Sequence, residues 1–487
     1  MASSTARRTP PLSALVPLAA LAVVPVLVLG LAMGPWRLLV PVLVAGVVLV
    51  LRPKPTTAVA LAVVALPLTA LLRRLTAGED AYLPSDPLAV LAVVVALPAF
   101  VLVRGKGREA PGSGWLAVYL AWLVVTAGLS SSGSIATRAT GFLIVAVPAG
   151  VGYLVARGWA AGSEGIALRS LVVLALPLAA YATAQFFLAP TWDMAWLTSV
   201  QETLNSVGSP VARGFRVWGT MESPLSLAMY LGQAVLALLC WMLARRGAPG
   251  RGARSLFVTV TLVVVLLALV LTSVRSVLFA LPVLLLGVAL LGLLPVGRVQ
   301  ALLAAVGVTL AMVVGIGSLG LSATGTTASR YQLSSLGQDQ SLLDRAQLLP
   351  QFLQAAANPV GTGPGSAGAA QSLTAGGKAI GIDNGYLSLL QEGGVLRLGL
   401  FVAVLLLALM AAVRNARRRP DDAGALFAVT VIVFYGILQA SSDVVSGTGS
   451  FFFWICVGAS FAREGAHRRA LRTTPAPAGH QAVKEIA

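Results

Sequence analysis

Residues 255–294 decide the fold of this chain, and they read SLFVTVTLVVVLLALVLTSVRSVLFALPVLLLGVALLGLL. Arg275 is the one charged residue in this stretch, and it separates two apolar runs, 255–273 and 275–294. Each run has about the length that an α-helix needs to cross a hydrocarbon core of about 30 Å. The stretch therefore predicts two membrane-spanning helices that are joined by a very short turn.

The same pattern recurs along the whole chain. Hydrophobic residues make up 57% of the sequence and charged residues only 10%, a balance that ordinary soluble domains do not have. We predict an all-α, polytopic integral membrane helix bundle with about fourteen transmembrane helices. The predicted spans are 12–33, 36–51, 56–73, 87–103, 115–130, 138–157, 166–188, 222–244, 255–273, 275–294, 299–321, 395–413, 424–441 and 447–462.

The net charge of +17 comes with basic residues that lie between the spans. Cytoplasmic loops of membrane proteins carry an excess of Lys and Arg, so this charge indicates topology and no nucleic-acid partner. The Arg-rich segments 245–254 and 414–419 belong on the cytoplasmic side. We therefore predict a multi-pass membrane protein with both termini in the cytoplasm and residues 322–394 outside.

These assignments divide the chain into five parts. The longest polar segment is predicted to form one large, partly helical extracytoplasmic loop that carries the chemistry. The parts are a cytoplasmic N-terminal tail (1–11), the first eleven spans (12–321), the large outer loop (322–394), the last three spans (395–463) and a disordered cytoplasmic tail (464–487).

The positions of the cysteines and histidines exclude several kinds of metal site and catalytic site on the outer side. Cys240 and Cys456 both fall within apolar spans and are explained as small buried residues. His467 and His480 both fall in the cytoplasmic tail. The outer face therefore has neither a His-based zinc site nor a Ser-His-Asp triad, and we predict no metal and no cofactor.

Two arginines are candidates for binding an anion on the outer side. Arg275 lies at the outer junction of two spans, where snorkelling to the interface is the alternative explanation. Arg345 lies on the polar face of an amphipathic pattern over 341–357, where a solvated helix face is the simpler explanation for this residue taken alone. A guanidinium at the membrane surface suits phosphate or diphosphate through paired hydrogen bonds.

Two acidic residues are candidates for proton transfer. Asp383 precedes a short helical pattern at 384–392, so that Asp383 or Asn384 is also its expected N-cap. Glu222 lies at the outer start of a span, where it either interacts with the helix dipole or lines a polar cavity. A Gly-rich run that includes Gly361 and Gly363 offers backbone N–H groups to an anion, although such runs are usually only flexible loop.

The order of these motifs resembles the O-antigen ligase and O-antigen polymerase superfamily of bacterial membrane proteins. Similar proteins show five motifs in order on the outer side, and the resemblance covers roughly residues 219–400. Here the motifs are Gly219 to Pro224, Ser273-Val274-Arg275-Ser276, Arg345, Pro359 with Gly361 and Gly363, and Asp383-Asn384-Gly385-Tyr386-Leu387 followed by Glu392-Gly393-Gly394.

The resemblance implies a metal-independent glycosyltransferase of cell-surface polysaccharide assembly in the bacterial plasma (inner) membrane. It implies transfer of a glycan from an undecaprenyl-diphosphate carrier to a glycan or other hydroxyl acceptor, with Arg275 and Arg345 at the diphosphate. Asn384, Tyr386 and the Gly-rich residues would contribute to substrate binding. Ligases have a histidine where this chain has Asp383, a departure that leaves ligase and polymerase both open.

Two other functions remain open at the level of sequence. The first is a transporter such as a lipid-linked oligosaccharide flippase, against which the sparse charge within the spans and the lack of visible repeats both count. The second is a non-catalytic membrane scaffold, which leaves the ordered arginines unexplained.

Overall fold

Helices provide all of the regular secondary structure in the residues that the structure describes. The structure is a computed structural model. It describes residues 35–51, 54–77, 86–130, 134–200, 207–243, 251–293, 307, 348–367 and 384–473. An isolated antiparallel bridge between Gly208 and Phe215 is the single β-type pairing within these ranges.

Sixteen α-helices are described, and three short 3₁₀ helices at Leu66–Leu68, Pro87–Val90 and Thr448–Ser450 adjoin them. The α-helices are α1 (Pro35–Leu51), α2 (Pro55–Ala65), α3 (Thr69–Ala77), α4 (Leu91–Ala96), α5 (Pro98–Val101), α6 (Ser113–Leu129), α7 (Ile135–Ala156), α8 (Ser163–Leu188), α9 (Thr191–Val200), α10 (Pro224–Leu243), α11 (Arg251–Leu271), α12 (Arg275–Leu290), α13 (Leu348–Ala356), α14 (Gly385–Arg418), α15 (Ala423–Leu438) and α16 (Phe451–Thr473).

Many of the predicted spans fall on described helices, although 56–73 and 87–103 each include a short 3₁₀ helix. Five helical segments are long and apolar enough to cross a membrane, and six further apolar helices are shorter. The long ones are Pro55–Leu75, Arg138–Ala156, Ser163–Leu188, Pro224–Leu243 and Gly385–Arg418. Two of the predicted spans, 12–33 and, apart from residue 307, 299–321, fall outside the described residues. The protein is therefore helical with apolar helices suited to a lipid bilayer.

Large apolar side chains cover the outer faces of the bundle. Val173 of α8 is 66% exposed and Phe279 of α12 is 61% exposed. Exposure of this kind is unfavourable in water but not against lipid chains, because lipid chains are themselves apolar.

Helix α16 packs most closely against α7. An added Cβ at Gly152 would meet the carbonyl oxygen of Trp454, and one at Gly458 would meet the carbonyl oxygen of Gly152. Small residues at such a contact let two helix backbones approach, which is how membrane helices gain packing energy. The α7–α16 pair forms part of the core around which α8, α10, α14 and α15 are arranged.

Two elements differ from the sequence-based expectation. Helix α9 lies inside the segment 189–221, which carried no helix prediction. Helix α16 continues to Thr473, ten residues beyond the predicted end of the membrane domain at 463. This extension is stabilised because Glu464 is buried and accepts a hydrogen bond from Arg418 of α14.

Candidate functional site

One end of the bundle contains a cavity of about 270 Å³. The start of α10, the α2–α3 junction and the connection between α15 and α16 form its walls. The polar or acidic residues that line it are Thr69, Glu222, Ser223, Ser226, Tyr230, Gln233 and Asp443. The cavity therefore combines two carboxylates with neutral hydrogen-bonding groups.

Glu222 is the predicted site residue that lines this cavity. Its carboxylate forms an ion pair with the guanidinium of Arg73, a residue of α3 whose Nε lies 3.5 Å from Oδ2 of Asp86. The Glu222 side chain keeps 36% of its surface exposed, whereas those of Arg73 and Asp86 are almost fully buried. Glu222 is thus held in place from one side and accessible from the other.

Asp443 is the second carboxylate of the cavity. Its Oδ2 accepts a hydrogen bond from Ser388 Oγ at 2.7 Å, and its Oδ1 accepts one from the Ser446 backbone N–H at 3.1 Å. Ser388 lies in the first turns of α14, so Asp443 connects the cavity to the helix that follows Asp383.

Two buried polar atoms of the lining residues have no hydrogen-bond partner in the described part of the chain. They are the Tyr230 hydroxyl and Gln233 Oε1, and both residues are only 2% exposed. The Gln233 amide nitrogen donates to the Met229 carbonyl oxygen and to the Tyr435 hydroxyl, which fixes the orientation of the amide. An unpaired buried polar atom costs free energy, so these groups favour a polar occupant of the cavity.

A second polar cluster holds the segment before Glu222. Arg74 Nε lies 2.9 Å from Asp193 Oδ1, and Arg74 Nη1 donates to the Met221 carbonyl oxygen at 2.7 Å. Gln185 Oε1 accepts from the Gly219 backbone N–H at 2.8 Å. Burial raises the pKa of Asp193, and the adjacent guanidinium of Arg74 opposes that rise. Because the cluster holds the backbone of residues 218–221, it also fixes the position of Glu222, which follows them.

The Gly-rich run does cradle an anion, but that anion is a carboxylate of the chain itself. The backbone N–H groups of Gly365 and Ala367 donate to Oε1 of Glu392 at 3.0 and 3.4 Å. Oε2 of the same carboxylate accepts from Arg397 Nη1 at 2.6 Å.

The N–H groups of the two predicted glycines are also used internally. The N–H of Gly363 donates to the Glu392 carbonyl oxygen at 2.9 Å, and that of Gly361 donates to Asn358 Oδ1 at 3.1 Å. In the described structure this run therefore binds the carboxylate of Glu392 and its backbone carbonyl oxygen, within α14.

Asn384 and Tyr386 connect the start of α14 to the end of α15. Asn384 is the N-cap, since its Oδ1 accepts from the Leu387 N–H at 3.0 Å and its Nδ2 donates to the Ala440 carbonyl oxygen. The Tyr386 hydroxyl donates to the Gly436 carbonyl oxygen at 2.8 Å. Their side chains therefore have structural partners close to the wall of the cavity that contains Asp443.

Arg275 lies at the same end of the bundle as Glu222. The segment before α10 is hydrogen-bonded to the α11–α12 turn, from Val217 N–H to the Leu271 carbonyl oxygen and from Arg216 Nε to the Thr272 carbonyl oxygen. Arg275 begins α12 directly after this turn and is half-buried, but it is not among the residues that line the cavity. Arg345 and Asp383 lie outside the described residues.

Sequence reasoning missed Arg73, Arg74 and Asp443. A signal for the arginines was present, because two adjacent basic residues end a span on the side where such residues are scarce. Asp443 is the one acid in the predicted outer connection 442–446. No local sequence pattern predicts that α3 pairs with the segment before α10.

Comparison with known proteins gives no assignment. No protein-family model, no curated protein and no solved structure matches this chain. The geometry of the cavity and the resemblance of motifs are therefore the basis for the function proposed below.

Proposed function

We propose that the protein is a membrane glycosyltransferase, which moves a glycan from a lipid-diphosphate carrier to an acceptor hydroxyl on the extracytoplasmic face. The single observation that carries the proposal is the cavity at one end of an apolar helix bundle, lined by Glu222, Asp443 and two polar atoms that have no partner among the described residues. Such a cavity suits a sugar, because a sugar offers hydroxyl groups to carboxylate, amide and phenol groups alike.

The proposal also includes the membrane topology, which is the number of spans and the side on which each connecting segment lies. About fourteen spans place Glu222, Arg275 and the 322–394 segment outside, in a bacterial plasma membrane with cytoplasmic termini. The undecaprenyl tail of the donor lies among the helices, and its diphosphate lies at the outer surface beside Arg275 and Arg345.

The transfer itself is a substitution at the anomeric carbon. The acceptor oxygen forms a bond to that carbon while the bond from the carbon to the diphosphate oxygen breaks, so the configuration inverts. The electron pair leaves with the lipid diphosphate, whose charge Arg275 and Arg345 stabilise. The hydroxyl proton passes to a carboxylate, for which Glu222, Asp443 and Asp383 are the candidates.

Reconstitution in liposomes with an undecaprenyl-diphosphate oligosaccharide tests this activity. Lengthened glycans with released lipid diphosphate indicate a polymerase, and release only after a second acceptor is added indicates a ligase. If the donor crosses the bilayer chemically unchanged, the chain is a transporter such as a flippase and the proposal fails.

Variants then test the roles of the residues. We expect Glu222→Gln or Asp443→Asn to lower the transfer rate about a hundredfold if that carboxylate is the base. Asp421→Asn makes the same chemical change at an exposed position outside the cavity and serves as the control. Normal rates in Glu222→Gln, Asp443→Asn and Asp383→Asn together would exclude a carboxylate base. Normal rates in both Arg275→Ala and Arg345→Ala would exclude the diphosphate role.

A further inference from the structure

A second cavity, of about 250 Å³, lies at the opposite end of the bundle. Helix α15 relates the two, because Asp422 at its N-terminus lines the second cavity and Asp443 beyond its C-terminus lines the first. With 16 residues, α15 is about 24 Å long. The lining polar residues are Asn415, Arg418, Arg419, Asp422, Arg463 and His467. We call this the arginine cavity.

Positive charge predominates in the arginine cavity. Its lining contains three arginines and one acid. Arg418 Nη1 is 2.7 Å from Glu464 Oε2, and Arg463 Nη2 lies at 3.3 and 3.4 Å from Glu164 and Asp422. Arg419 forms no ion pair with any residue that the structure describes. Among the described residues, the Arg419 charge is therefore the part of the cavity's positive charge that no ion pair neutralises.

One guanidinium nitrogen of the cavity is also left without an acceptor. Nη1 of Arg463 is shielded from solvent and has no hydrogen-bond partner within the described ranges. Burying a charged donor without an acceptor is costly, so an acceptor that enters the cavity gains a charge-assisted hydrogen bond. This buried donor favours an anion in the cavity, and the exposed side chain of Arg419 adds a positive charge at its rim.

We propose that the arginine cavity binds a phosphate group. Guanidinium groups match the oxygens of phosphate through paired hydrogen bonds, and three of them surround one small cavity. The cavity lies at the end of the helices where the Arg-rich segment 414–419 is found. Basic pockets between membrane helices at such a surface bind the headgroups of anionic lipids. The phosphate belongs either to an anionic phospholipid or to a free phosphate compound.

Binding measurements on the purified full-length protein in neutral detergent test the site. The probes are phosphatidylglycerol, phosphatidylcholine and inorganic phosphate. We expect Arg419→Gln to weaken binding of the phosphate probe about fivefold. Arg417→Gln removes the same charge from an exposed neighbour that does not line the cavity, and we expect its affinity to stay within about twofold of the wild type.

The outcomes separate the sources of the phosphate. Binding of phosphatidylglycerol alone identifies a lipid headgroup, whereas binding of inorganic phosphate with the same dependence on Arg419 identifies a soluble compound. Equal losses in the Arg419→Gln and Arg417→Gln variants would show only general surface charge and would overturn the proposal. Equal binding of the two lipids by the wild type, with no binding of phosphate, would also overturn it.

A further variant and a stability measurement distinguish a loss of binding from a loss of the fold. Arg419→Lys keeps the charge but loses the guanidinium fork, so its affinity should lie between those of the wild type and Arg419→Gln. The thermal unfolding midpoint of each variant, measured without ligand, shows whether the fold is retained.

Discussion

At the scale of single residues, Glu392 is the centre of an almost completely buried charge cluster. Its carboxylate accepts from Arg397 on one oxygen and from the backbone of Gly365 and Ala367 on the other. The side chains of Glu392 and Arg397 are 1% and 0% exposed. A buried pair of this kind adds little net stability over a hydrophobic replacement, but losing one partner leaves an uncompensated charge.

We therefore expect Glu392→Gln to destabilise the fold by about 3 kcal/mol, because Arg397 would remain buried without its counter-charge. The measurement is chemical unfolding of the purified protein in detergent. The double variant Glu392→Gln with Arg397→Met removes both charges and should recover much of the loss. A single variant as stable as the wild type would show that Arg397 reaches water or another anion.

Glu464, which lies next to the arginine cavity, makes the stability of the fold depend on pH. Burial alone would raise the pKa of Glu464, but hydrogen bonds from Arg418 and Arg468 outweigh it and lower the pKa below its ordinary value of 4.5. Because the folded-state pKa is the lower one, the carboxylate stabilises the fold at neutral pH. That contribution is lost as the pH falls through the folded-state value.

The unfolding temperature should therefore be higher for the wild type than for Glu464→Gln at pH 7, and the difference should shrink towards zero below about pH 4.5. Thermal scans of both proteins between neutral and acidic pH measure this difference, and the titration of all other groups cancels in it. A difference that does not change with pH would contradict the assignment to the Glu464 carboxylate.

At the scale of the element, Gly394 divides α14 into two parts. It has φ +69° and ψ −175°, and an added Cβ would overlap the carbonyl oxygen of Pro359. The break leaves the Gly393 carbonyl oxygen to accept from Trp122 Nε1 at 2.9 Å. The break thus lets the Gly-rich run pack against the turn between the two parts of the helix.

We expect Gly394→Ala to destabilise the protein by more than about 2 kcal/mol, from the strained backbone and the steric overlap together. Gly399→Ala is the matched control, because Gly399 is an exposed residue of α14 and a Cβ there meets nothing within 4 Å. That control should stabilise the helix by about 0.5–1 kcal/mol. The unfolding midpoints of the two variants are compared. Equal effects would contradict the claim that the break at Gly394 requires glycine.

The elements were largely predictable from the sequence, but their partners were not. Apolar runs located α10, α11 and α12 within a few residues, because the length of a span is set by the bilayer. The cap at Asn384 followed from local chemistry. By contrast, the pairing of Arg73 with Glu222 joins residues 149 positions apart, and tertiary packing alone determines it.

At the scale of the whole molecule, the two ends of the bundle carry cavities of different charge. Glu222 and Asp443 line one end, and the arginine cavity lies at the other. Lys and Arg are retained on the cytoplasmic side of membrane proteins, so the arginine cavity should face the cytoplasm and the carboxylate cavity should face outward. The proposed transfer requires this orientation.

Cysteine labelling of intact cells decides the orientation. Val211 lies in the segment before Glu222 and is 59% exposed, whereas Ala466 is exposed and lines the arginine cavity. The native Cys240 and Cys456 are buried at 2% and 0% exposure, so they add little background. A membrane-impermeant maleimide should label Val211→Cys in intact cells and Ala466→Cys only after permeabilisation. The reverse pattern would place Glu222 in the cytoplasm, where a glycan donor displayed outside the cell is out of its reach.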